Sequence, residues 1–190
     1  MTDSERDAQC HLISLAFQYH VAGRCAARCQ LISVTGNLLH HAIEVLLKAL
    51  IVRDVGLRGV ASFGHKLVPL WAAVVQKYPE LNSLDRTGAV ESLDRFELLR
   101  YPDDIVAKGA AVRFGWERAP AMPTMKVPAY DLAMEDVDEL FRAAFGASGL
   151  NPEFFLVMLS QEARIALRDR NRHTLGAIAS DQQTSGLTSG

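Results

Sequence analysis

Cysteine is scarce in this sequence, and the three present, Cys10, Cys25 and Cys29, form an odd set near one end. That excludes the paired framework of a small secreted disulfide domain and points to a reducing, cytoplasmic setting. No apolar run reaches the roughly 20 residues that a bilayer-spanning helix needs. The longest, residues 45–52, is interrupted by Lys48. The opening MTDSERDAQC is polar and partly acidic, without the basic start and apolar stretch of a secretory signal. Neither sign of charge dominates. A formal net charge of −2 argues against nonspecific nucleic-acid binding by the whole surface, and leaves room for a local basic patch.

What is present is a globular balance: 49% hydrophobic and 22% charged residues in 190, enough to bury a real core. Residues 4–34 read as one helix, with Leu12, Leu15, Ala16, Tyr19, Gly23, Ala26 and Ala27 on one stripe. The small residues on it suit close approach by a neighbour. Thr35-Gly36-Asn37 reads as a breaker and cap for a second helix over residues 37–54. That helix is apolar around most of its circumference, which places it inside a bundle. Its one polar line is Asn37, His41, Glu44 and Lys48, with Glu44 and Lys48 expected as an exposed pair. Further helices are expected at 64–78, 87–99, 130–145 and 151–168, and short strands at 111–114 and 125–127. The expected fold class is all-α, an up-and-down bundle of about five to six helices. Residues 1–148 form the bundle, 149–173 an additional C-terminal helix packing on it or on a dimer partner, and 174–190 a disordered tail.

Three stretches recur in a familiar order. Asn37-Leu38-Leu39-His40-His41-Ala42-Ile43-Glu44-Val45-Leu46-Leu47-Lys48-Ala49-Leu50 carries an Ala-x-Glu-x-x-x-Lys-Ala pattern. Gly64-His65-Lys66-Leu67 opens the next helix, and Arg100-Tyr101-Pro102 closes the one after. This order resembles HEPN domains (higher eukaryotes and prokaryotes nucleotide-binding) over about residues 37–145. Lys66 stands where many members have Asp. The resemblance implies a helical bundle, commonly a homodimer. Its implied role is either RNA cleavage, as in toxin–antitoxin and defence systems, or noncatalytic binding of a nucleotide, RNA or partner protein. It implies no cofactor and no membrane.

Members that cleave RNA carry Arg, a polar residue and a nearby His, and Arg168-Asp169-Arg170-Asn171-Arg172-His173 has that spacing. In such a site His173 would move the 2′-hydroxyl proton and Arg168 would stabilise the phosphorane-like transition state. The same residues also suit a basic helix end. The ligand-binding candidates are His65, Arg100, Tyr101, Arg113 and Trp116. In Arg113-Phe114-Gly115-Trp116-Glu117-Arg118, arginines interleave with aromatics that could stack a base or plug the bundle edge. No metal site is expected: His40 and His41 point about 100° apart around a helix, and Cys25 and Cys29 lack a second ligand pair. Residues 154–159 are apolar nearly all round and call for a cover.

Overall fold

The computed structural model describes residues 3–84, 87–120 and 122–173; the tail expected to be disordered lies outside them. Eight helices occur among the described residues: α1 (Asp3–Arg28), α2 (Ile32–Ser62), α3 (Leu67–Lys77), α4 (Thr87–Phe96), α5 (Pro102–Lys108), α6 (Met134–Ala147), α7 (Glu153–Leu156) and α8 (Gln161–Arg168). A parallel strand pair, β1 (Ala111–Gly115) and β2 (Ala129–Ala133), sits between α5 and α6. The fold is thus mostly helical, with a small sheet that an all-α class leaves out.

The first turn is not where the breaker residues suggested. Gln30 adopts a left-handed backbone (φ 59°). Its N–H reaches the Ala27 carbonyl at 3.0 Å, and the Leu31 N–H reaches Ala26 at 3.0 Å. That pair of bonds terminates α1 in the manner usually given to glycine. Thr35-Gly36-Asn37 therefore lies inside α2. Gly36 is there for contact, since a Cβ at this position would stand 3.2 Å from the Phe96 Cβ. Gly23 plays the same part in α1, where a Cβ would come within 2.7 Å of Leu39 Cδ2. The second helix breaks stride at Gly56 (φ 69°, ψ 172°) and then resumes to Ser62.

The core is centred on α2, as its composition demands. Leu39, Ile43, Leu46, Leu47 and Leu50 are wholly buried, against α1 on one side and α3, α4 and α6 on others. Phe17, Phe141, Phe145 and Phe155 join α1, α6 and the segment after it through ring contacts of 5.6–6.3 Å. Glu44 and Lys48 are no exposed pair: their side chains are 4% and 14% exposed.

The second strand forms at 129–133, not at 125–127, in residues that helical spacing had claimed. Tyr130 and Leu132 are buried while their neighbours are only partly so, a period-two pattern. The segment 116–128, rich in proline, is long enough for the crossover that parallel strands require. The expected C-terminal helix is two short ones. At the start of the first, Asn151 Oδ1 accepts from the Glu153 N–H at 3.0 Å. Ser160 caps the second, accepting from Ala163 N–H at 3.3 Å.

Candidate functional site

The polar line of α2 converges on one carboxylate. Glu44 Oε2 meets His41 Nδ1 at 3.2 Å and His65 Nδ1 at 3.1 Å. Its other oxygen, Oε1, accepts from Lys48 Nζ at 2.6 Å, and that ammonium also donates to the Gly64 carbonyl at 2.7 Å. The turn carrying Gly64-His65 is thereby fastened to the middle of α2. One donor atom from each of His41, Glu44 and His65 lies within 4.8 Å of the other two. Glu44 stands i+4 from His40 and i+3 from His41, so both imidazoles flank it. His65, 57% exposed, opens the cluster to solvent.

Burial pushes the Glu44 carboxyl up, but hydrogen bonds from His41, Lys48 and His65 outweigh it and hold the group down at about 2. His40 goes the other way. It is wholly buried, and desolvation lowers its pKa against the opposing pull of the Leu93 carbonyl, Glu44 and Glu97. Its Nδ1 lies 3.1 Å from the Leu93 carbonyl oxygen. A carbonyl only accepts, so Nδ1 carries the hydrogen and the neutral ring presents its Nε2 lone pair. That buried Nε2 has no hydrogen-bond partner and faces Glu44 Oε2 at 3.7 Å.

Arg100 belongs near this cluster and not to the loop around Trp116. It pairs with Glu97, donates to the Tyr101 hydroxyl at 2.6 Å and feels the Glu44 charge. Arg113 and Trp116 lie apart from it. Arg113 lines a cleft of about 350 Å³ with Arg118, Gly88 and Ser92, but its Nε already binds Asp131 at 2.8 Å and its Nη2 the Pro120 carbonyl at 2.6 Å. Arg118 is committed to Asp136 and Glu139. The Trp116 ring is within 5.5 Å of both the Arg24 and Arg170 guanidinium carbons. The five ligand-binding candidates are thus dispersed: His65, Arg100 and Tyr101 lie towards Glu44, Arg113 lines the cleft, and Trp116 lies against Arg24 and Arg170.

The Arg168–His173 stretch is drawn into the body of the protein by Arg24, a residue that helical patterning passed over. Arg24 is 0% exposed. It pairs with Asp138 and donates to the carbonyls of Ala166, at 2.7 Å, and Asp169. His20 Nε2 lies 3.3 Å from the other Asp138 oxygen. The buried His173 Nε2 faces a recess of about 10 Å³ that His20, Asp138 and Phe141 also line. Arg168 lines a different recess, with Arg164 and Ile165.

Comparison with protein-family models, curated proteins and solved structures gives no match. The site is therefore read from its own geometry. Sequence spacing found the members of the Glu44 cluster but not their meeting. It missed Arg24, His20 and Asp138, and the only signal was charge placed on helix faces otherwise made of small and apolar residues.

Proposed function

We propose that this chain is a noncatalytic, HEPN-like recognition domain that acts as a homodimer and engages a partner protein in preference to RNA. The resemblance rests on three separate stretches, and support for it comes from their convergence in space. Lys48 and the Gly64-His65 turn meet at Glu44, and Arg100, paired with Glu97, lies near enough to feel its charge.

The observation that carries the preference is the state of the basic residues at the cleft and the C-terminal segment. RNA binding needs guanidiniums able to pair with phosphate and aromatic faces able to stack on bases. Arg113, Arg118 and Arg172 are each matched to carboxylates of Asp131, of Asp136 and Glu139, and of Glu117 and Glu135. Trp116 already carries two guanidiniums. A recess of about 10 Å³ at His173 admits about one water molecule and no ribose. A surface for the second copy of the chain, by contrast, is offered by Phe154, Val157 and Met158, all strongly exposed while Phe155 and Leu156 pack inward.

Two measurements test this reading. Purified protein incubated with structured and single-stranded RNA should give no cleavage above that of His173→Ala. Cleavage lost in His173→Ala would establish the ribonuclease reading, with Arg168 and His173 as its catalytic pair. Light scattering at tens of micromolar should give twice the chain mass. Phe154→Glu with Met158→Glu should return it to the monomer, and a monomeric parent protein would overturn the dimer.

A further inference from the structure

We propose that His41, Glu44 and His65 form a binding site for a divalent first-row transition ion, with Zn²⁺ as the natural probe. This goes beyond the recognition role and does not depend on it. Two imidazole nitrogens and one carboxylate oxygen form a set suited to zinc and to related ions of borderline softness. Both distances to the shared carboxylate oxygen fit, and the two histidine donors lie within 4.8 Å of each other. Ligand bonds of about 2.0–2.1 Å in a tetrahedron set donor atoms about 3.3 Å apart. The two Nδ1 atoms stand 3.2 and 3.1 Å from Glu44 Oε2.

The surroundings are arranged as a ligand set requires. Lys48 holds Oε1 and leaves Oε2 as a single-oxygen ligand, and its bond to the Gly64 carbonyl fixes the turn that supplies His65. His40 is the independent observation. Its Nε2 is buried without a hydrogen-bond partner, 3.7 Å from the same Oε2. The His40 lone pair is thus left facing a carboxylate oxygen, a repulsion that a cation held at Oε2 would ease. With three protein ligands and His65 at the solvent edge, a fourth position stays open to water or to an anionic group of a partner.

The test uses untagged full-length protein stripped with chelator and titrated with Zn²⁺ by calorimetry at neutral pH. One equivalent per chain should bind. His41→Ala and His65→Ala should each weaken the affinity roughly tenfold or more. Their melting temperatures in chelator guard against unfolding, and the exposed His65→Ala should melt as the parent does. Co²⁺ in place of Zn²⁺ should give d–d bands of a nitrogen–oxygen site without thiolate charge transfer. Absence of saturable binding, affinity unchanged in either variant, or a thiolate band from Cys10, Cys25 or Cys29 would each overturn the site.

Discussion

Arg24 and Asp138 pair in the dry interior, with side chains 0% and 1% exposed, and the guanidinium reaches beyond the pair to two carbonyls near the C-terminal end of α8. Removing one member of such a pair strands the other charge, at a cost of about 3–5 kcal/mol. Arg24→Met should therefore lower the urea midpoint sharply and open residues 160–173 to proteolysis. Arg24→Met combined with Asp138→Leu should be more stable than either single variant. A double variant as unstable as Arg24→Met, with Asp138→Leu much the milder change, would mean that the carbonyl bonds, and not the ion pair, dominate.

Gly36 tests how closely α2 and α4 are fitted. A Cβ there falls against the buried Phe96 ring, and overpacking of this kind costs about 1–3 kcal/mol. Gly36→Ala should destabilise by that much despite its better helix propensity. Adding Phe96→Leu should cost less in the Gly36→Ala background than in the parent, a coupling read from the four denaturation curves.

Buried His20 gives the protein a pH dependence of known sign. Desolvation lowers its pKa below 6.5, outweighing the hydrogen bond and charge of Asp138. The unfolded chain takes up a proton near 6.5 that the folded chain refuses, so the contribution is complete above about 6.5 and is lost as pH falls towards the folded value. His40, also lowered, adds a slope of the same sign. Each such group contributes at most about 1.4 kcal/mol per pH unit. Stability measured between pH 7.5 and 5.5 should fall, and His20→Gln should flatten the fall. An unchanged slope would show that His20 is not the titrating group.

Asp94 caps a helix to which it does not belong. Its Oδ1 accepts from the Leu67 N–H at the start of α3, at 2.7 Å. Loss of a cap typically costs about 1 kcal/mol, so Asp94→Ala should lower the melting temperature modestly. Hydrogen exchange should quicken in the first turn of α3 and stay unchanged in α1.

Periodicity made the middle of α2 legible because residues 39–52 are buried or half-buried throughout, and no other environment suits so apolar a stretch. Connections were harder, because the same residue serves different ends. Gly36 reads as a breaker and is a packing surface, whereas Gln30 reads as helix and is the turn. At 129–133 the apolar residues fit either period, and pairing with β1 decides for the strand. The members of the Glu44 cluster were visible singly. Their assembly depended on the Gly64-His65 turn folding back along α2, information that spacing within one helix does not contain.

The reach of Arg24 also governs when the protein can be finished. Its carbonyl partners lie 142 and 145 residues further along, and domains generally take shape in order as a chain leaves the ribosome. Until the last helix emerges, α1 and α2 can join, yet α1 carries a guanidinium whose carbonyl partners do not exist. Until then the guanidinium can be answered only by Asp138, itself 114 residues further along. Completion is a late event, set by synthesis of residues 166–169.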